Sequence, residues 1–295
     1  MLVKEDFSPK QVARAIGVSE SSLKRWCDQG LISIVKTAGG HRRLPLSGVL
    51  KFLRASQREA VHPEILGLPA TSGKSDRMLT RVRERLSTGL LAGDEPLCRQ
   101  IIFDLWLAGQ HLAVIGDQVI AAAFTAIGEK WACREADVYQ ERRACEIMLR
   151  VLHEIQTGLT PGDPHWQALG GTPAGDQYTL PTTMAEIVLQ EAGWQARSLG
   201  SSLPFDSMAA AIRENQPRLF WLSVSHIPDQ QAFQDGFARL HATAAEMGTA
   251  LAVGGFALRD ESLRQRLRYS AFCDTMQHLA EFAGTLRSIP SGRPA

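Results

Sequence analysis

Eight consecutive residues, Thr37-Ala38-Gly39-Gly40-His41-Arg42-Arg43-Leu44, set two glycines beside an imidazole and two guanidiniums. The glycines let the backbone reverse, and cations at such a turn can reach the phosphates of a nucleic-acid backbone. Ahead of them, Ser21, Lys24 and Arg25 fall on the outer side of a short segment of apolar periodicity. Ser21, Lys24, Arg25, His41, Arg42 and Arg43 are therefore the candidate contacts to double-stranded DNA. Most would touch phosphates, with Lys24 and Arg25 the expected base readers.

The elements that must hold these groups are legible around them. Ser8 suits an N-cap, Pro9 the first helical position and Gln11 the capping-box position, which predicts a helix over Pro9–Ile16 with Val12, Ala13 and Ile16 inward. Gly17 ends that helix and Ser19 caps the next, which runs to Asp28 with Leu23 and Trp26 inward. Residues 32–35 and Arg43-Leu44 read as the two short strands of a wing, and Leu46–Ala55 as a closing helix. The sum is a winged helix-turn-helix over residues 1–60.

Charge agrees with that division. Residues 1–60 hold 11 Lys/Arg against 5 Asp/Glu, a net of +6, while the whole chain is +1, leaving −5 on the remainder. A basic head on an acidic body points to nucleic acid for the head and another role for the body. A chain of 295 residues with 44% hydrophobic content predicts two or three domains with real cores. No run of 18 uninterrupted apolar residues exists, and the helix-turn-helix begins at once, so neither a membrane span nor a secretion leader is expected. Five scattered cysteines without a Cys-x-x-Cys pair fit reduced thiols in a cytoplasm, and no metal site is expected.

A polar run beginning at Gln57 reads as linker, assigned to residues 61–76. Its Gly73-Lys74-Ser75 lacks the earlier glycine and the preceding strand of a phosphate loop. Residues 77–160 carry helical periodicity throughout. Leu79, Val82, Leu86, Leu90 and Leu91 form one stripe, Ile101, Ile102, Leu105, Trp106 and Leu112 another, and residues 114–132 and 138–155 follow, which predicts a four-helix bundle. Over residues 161–290 the period changes. Expected strands at residues 167–172, 195–200, 218–224 and 249–253 alternate with helices at 180–192, 205–215 and 228–247, predicting a Rossmann-like, doubly wound parallel sheet. Ligands of such sheets bind beyond the carboxyl ends of the strands. Those loops hold Gly170-Gly171, Gly200-Ser201-Ser202, Ser223-Val224-Ser225-His226 and Gly254-Gly255, where small residues either admit a ligand or merely permit tight turns.

Gln11 to Ser19, the Arg25-Trp26 pair and the wing resemble the DNA-binding domain of the MerR family of transcriptional regulators. With the bundle and sheet, the order of parts resembles the CarH/LitR-type light-responsive repressors, which join such a head to a bundle and a cobalamin-binding Rossmann-like domain. The resemblance implies that Trp131, Val138 and Glu141, at offsets of 7 and 10 on one helical face, cover the upper corrin face and its adenosyl group. Arg134 and Arg142 depart from that pattern, and an ordinary buried Trp and Val with a solvent-facing Glu would give the same spacing. The family's Asp-x-His-x-x-Gly, whose His ligates cobalt and whose Gly leaves room for the displaced nucleotide tail, corresponds to Asp176-Gln177-Tyr178-Thr179-Leu180-Pro181. A phenol with an ordinary pKa of about 10 is a poor donor to cobalt. Ala132 stands where members carry a second His.

Two outcomes follow for the body. One is adenosylcobalamin held without His ligation by Trp131, Glu141 and the Gly254-Gly255 loop, with Asp176, Tyr178 and Ser201 at the sheet's edge. The other is a body that binds no cobalamin, or takes heme or a bilin through Tyr178, since tyrosinate can ligate ferric heme. A body without a ligand would serve homo-oligomerisation, as dimer or tetramer, or bind an antirepressor protein. No Ser-His-Asp or phosphate-cradling motif stands out, and the expectation is a repressor rather than an enzyme.

Overall fold

The computed structural model describes residues 6–36, 40–56, 58, 60–67, 76–133 and 135–288. Thr37, Ala38 and Gly39 of the expected wing tip, residues 68–75 of the expected linker and Arg134 lie outside the described residues. Two compact units emerge, one of residues 1–111 and 118–159, the other of residues 112–117 and 160–295.

In the first unit, α1 (Pro9–Ile16) starts where Ser8 and Gln11 form a reciprocal capping box, and it stops at Gly17, whose φ of 72° costs a glycine nothing. Ser19 caps α2 (Glu20–Asp28) by accepting from the Ser22 amide. Strands β1 (Asp6–Phe7), β2 (Val35–Lys36) and β3 (Arg42–Pro45) form a small sheet with β3 in the middle, and α3 (Leu46–Ala55) follows. The expected strand over residues 32–35 is displaced towards Lys36: only Val35 and Lys36 pair with β3, and Ile32 lies before the strand with its side chain in the head's core. Phe7, Val12, Leu23, Leu44, Val49 and Leu53 complete that core.

Residues 60–66 do not behave as free linker. The His62 amide donates to the Ala15 carbonyl, Pro63–Leu66 makes a 3₁₀ turn and Leu66 is fully buried. The bundle comprises α4 (Asp76–Ala92), α5 (Glu95–Leu107), α7 (Ala121–Ala132) and α8 (Val138–Thr157), the four helices expected. Leu86, Leu90, Ile102, Phe103, Ile127, Met148, Leu152 and Ile155 fill its core. The third helix is not continuous: the short α6 (Leu112–Ile115) passes into a wide π-type turn at Gly116–Ile120 before α7 begins. The stretch Leu112–Ala132 has the length and apolar composition of a membrane span, with a mean hydropathy of 1.4, yet Leu112, Ile115, Val119, Ala123 and Ile127 are buried among core positions.

The second unit is a five-stranded parallel sheet in the order β5-β4-β6-β7-β8, built from β4 (Asp163–Gly171), β5 (Trp194–Ser198), β6 (Leu219–Ser223), β7 (Ala250–Gly254) and β8 (Ala271–Phe272). Helices α9 (Thr179–Glu191) and α13 (Met276–Ser288) cover one face, through Ala185, Leu189, Leu279 and Ala283. Helices α10 (Phe205–Asn215) and α11 (Gln230–Met247), with the short α12 (Glu261–Arg264), cover the other, through Met208, Ile212, Phe233, Phe237, Leu240 and Leu263. Asp229 caps α11, which excludes Pro228 from the helix expected to include it. Residues 112–117 are part of this unit's fabric: the Leu112 amide donates to Glu191 Oε2 at 2.7 Å, and the Asp117 carboxylate accepts from the Met276 and Gln277 amides at the start of α13.

Within the bundle, Asp104 Oδ1 is buried with no hydrogen-bond partner among the described residues. Burial pushes its carboxyl up to about 7 against the pull of Arg85. Folding therefore favours the protonated form. The contribution is fullest below the ordinary carboxylate value of about 4 and is lost as pH rises towards 7. Asp104→Asn should flatten that fall and raise the urea midpoint above about pH 7. Denaturation curves across this range check it, and an unchanged slope contradicts it.

Candidate functional site

On the head, Ser21, Lys24 and Arg25 are exposed on α2, and His41 is exposed beside β3. Arg42 is only half exposed, because its guanidinium donates to Asp28 Oδ1 at 2.7 Å and so ties the wing to the end of α2. Its expected phosphate contact is thus shared with an internal role. Arg43 is half-buried opposite Val35. Lys36 stands opposite Arg42 across the wing ladder and is fully exposed, a cation that the sequence reading passed over although it adjoins the glycine turn. Trp26 packs on Phe52 at 4.8 Å with the Arg58 guanidinium 5.0 Å from its ring, so it is a packing residue as expected.

On the bundle, Trp131 and Val138 are 53% and 46% exposed, and Glu141 is half-buried. They do not share one helical face. Helix α7 stops at Ala132, and the Asp137–Gln140 capping box starts α8 afresh, so a turn separates Trp131 from Val138 and Glu141. The helix assumed in the offset argument is interrupted by a cap that Asp137 and Gln140 encode. The turn leaves an open depression of about 430 Å³ lined by Trp131, Glu135, Ala136, Asp137 and Gln140.

In the α/β unit the strand order reverses between β4 and β6, the place where such sheets bind ligands. Asp176 lies there, 0% exposed. Its Oδ1 accepts from the Tyr178 amide at 3.0 Å, and its Oδ2 accepts from the Ser225 and His226 amides at 2.6 and 3.2 Å. Its carbonyl accepts from the Thr172 hydroxyl and the Ser202 amide. The residue expected to support a ligand instead ties the loops after β4, β5 and β6 together. Tyr178 stands at the start of α9 and is 41% exposed, and Ser201 is half-buried. His226 and Phe256, the latter 72% exposed, also lie on loops at this edge, and neither was singled out as a site residue from sequence.

The glycines expected to admit a ligand are required by the chain itself. A Cβ on Gly254 would lie 2.2 Å from the Cys273 carbonyl oxygen, and one on Gly255, at φ 113°, would lie 2.4 Å from that of Val224. At Gly170 an added Cβ would meet the Trp221 ring at 2.0 Å. That indole is buried and donates from Nε1 to Thr182 Oγ1 at 3.0 Å, in the first turn of α9 next to Pro181. Trp221 thus fills the space beside the first turn of α9, where Pro181 stands in the place of the glycine that the resemblance associates with room for a nucleotide tail. Tyr178, Pro181 and Trp221 together do not fit a corrinoid held through a protein imidazole with its tail displaced.

Residues 7–57 match the helix-turn-helix domain family, and residues 82–156 match the B12 binding domain family. The second match falls on the bundle. No curated protein matches the chain. Among solved structures, the monomethylamine corrinoid protein of Methanosarcina barkeri superposes with a TM-score of 0.57 at 13% identity, over 71% of this chain and 99% of that one. A cobalamin-binding protein of Desulfitobacterium hafniense DCB-2 aligns at 15% identity over 70% and 98% of the two chains, with a TM-score of 0.37. The methanol:cobalamin methyltransferase complex MtaBC of Methanosarcina barkeri aligns at 15% identity over 92% and 93%, with a TM-score of 0.37. The first likeness is one of fold. The chain thus joins a helix-turn-helix domain to a B12-binding-type domain, the combination its motifs resemble.

Asp176→Asn replaces an acceptor-only group with one that must turn an N–H towards either the Tyr178 amide or the Ser225 and His226 amides. A loss of roughly 2–3 kcal/mol in unfolding free energy is expected. Thermal and chemical denaturation measure it, and wild-type stability would show that the carboxylate is not the tie described.

Proposed function

We propose that this protein is a DNA-binding transcriptional regulator of the MerR type, a repressor, whose B12-binding-type body sets when the head holds its operator. The reading rests most on one observation: the head is joined to the bundle by a specific contact. Arg54, at the end of α3, donates to the Trp106 carbonyl at 2.9 Å and lies 5.1 Å over the Trp106 ring. Trp106 in turn packs against Gly158, where an added Cβ would come within 2.8 Å of the indole. A change in the packing of α5 or α8 therefore reaches the helix that closes the DNA-binding module.

In this account Lys24 and Arg25 read base edges, and Ser21, Lys36, His41 and Arg43 hold phosphates, with Arg42 divided between phosphate and Asp28. The operator is palindromic and the protein binds it as a dimer or tetramer in the cytoplasm. Trp131, Val138 and Glu141 present the bundle's surface to a corrinoid, adenosylcobalamin being the form the resemblance implies, and light or ligand is the signal. A regulatory rather than catalytic role is supported by the head. A second reading, a ligand-independent repressor whose body meets an antirepressor protein, is favoured by the internal use of Asp176, Gly254 and Gly255.

Lys36→Ala should weaken binding to operator fragments and lower the slope of log affinity against log salt by about 0.9 for the lost phosphate contact, whereas Arg25→Ala should weaken operator binding and relax its base preference. Anisotropy titrations over a salt series and against altered operators check this, and an unchanged slope for Lys36→Ala together with wild-type affinity and base preference for Arg25→Ala contradicts the DNA face. Arg54→Met keeps the aliphatic stem but removes the donor and the cation. It should change operator affinity of the full chain several-fold with the salt slope intact. Wild-type affinity and wild-type response to corrinoid and light would show that the Arg54–Trp106 contact transmits nothing.

A further inference from the structure

We infer that a corrinoid bound by this protein keeps its own nucleotide base on cobalt, because the α/β unit offers neither an imidazole in the ligating position nor a recess for a displaced tail. The inference rests on the corrinoid reading proposed above and concerns the chemical state of that ligand.

The residues concerned lie at the edge between β4 and β6. The ligating position is Tyr178, whose phenol is a hard, weakly acidic oxygen donor. Its amide is already held by Asp176, and the other carboxylate oxygen of Asp176 is taken by two amides of the β6 loop. Both oxygens of the carboxylate are thus bonded to backbone amides. Behind Tyr178, the first turn of α9 carries Pro181 where the pattern needs glycine, and then Thr182, which accepts from the Trp221 indole. Gly170 is what makes room for that indole: its missing Cβ leaves the cradle that the ring occupies. Glycine, indole and hydroxyl are thus matched to one another, and a nucleotide tail would have to evict a buried side chain and break its hydrogen bond. A base that stays on cobalt supplies the lower nitrogen itself and leaves the Trp221–Thr182 hydrogen bond in place.

The test uses the full chain and two probes, cob(II)alamin and cob(II)inamide, the second lacking the nucleotide base, each reduced before mixing and read by electron paramagnetic resonance. One axial nitrogen splits each cobalt line into a triplet. The expected result is a triplet in the cobalamin complex and its loss in the cobinamide complex. A cobinamide complex that keeps the triplet would overturn the inference, since the nitrogen would then come from the chain, and His226→Ala would identify whether that exposed imidazole supplies it. A cobalamin complex without the triplet would overturn it as well, by showing a displaced base. If equilibrium dialysis shows that neither probe binds, the corrinoid reading itself fails and the inference falls with it, an outcome distinct from binding with the wrong spectrum.

Discussion

A single buried carboxylate organises the edge of the α/β unit on which any ligand chemistry would depend. Asp176 gathers amides from its own loop and from the loop after β6, while its carbonyl takes the Thr172 hydroxyl and the Ser202 amide from the loop after β5. Charge-assisted hydrogen bonds from backbone amides are among the stronger ones available inside a protein. Buried as it is, the group cannot shed these partners without leaving a charge unsolvated. The loops are therefore fixed relative to one another, with Tyr178 and His226 exposed on them.

The same edge is closed from within by Trp221. Removing a large buried aromatic from a packed core generally costs about 3–5 kcal/mol, so a ligand group entering that space would have to offset such a loss with its own contacts. The fold is similar to that of a corrinoid protein, while at the positions that the resemblance gives to the lower ligand and the tail recess this chain carries Tyr178 and Pro181, with the Trp221 indole packed beside them. Fold and site are separable, and here they have separated. The bundle keeps more of the pattern, since Trp131 and Val138 remain exposed beside an open depression.

What the sequence revealed depended on how local the determining physics is. Helices α1, α3 and α10 begin and end at the expected residues, because caps, a proline and turn residues set them. The alternation of strand and helix gave the parallel sheet for the same reason. The strand expected at residues 32–35 pairs only at Val35 and Lys36, since the ladder is set by the partner residues Arg42 and Arg43 and not by the apolar run. The short β8 and helix α13 were not anticipated, since two residues of strand and a helix that fully buries only Leu279 and Ala283 leave little periodic signal. The turn between Trp131 and Val138 was written in the Asp137–Gln140 capping box, yet a family spacing overrode it. The part played by Trp221 could not be seen at all: it depends on Gly170 and Thr182, which are remote in sequence and adjacent only in the folded unit.

In the corrinoid reading proposed above, the chain's own indole holds the place that a displaced nucleotide tail would take. A crystal structure of the full chain grown with cobalamin tests it most directly. The account predicts the Trp221 ring still over Gly170 and within hydrogen-bond distance of Thr182. An indole swung away, with the nucleotide lying in its former position, would contradict it.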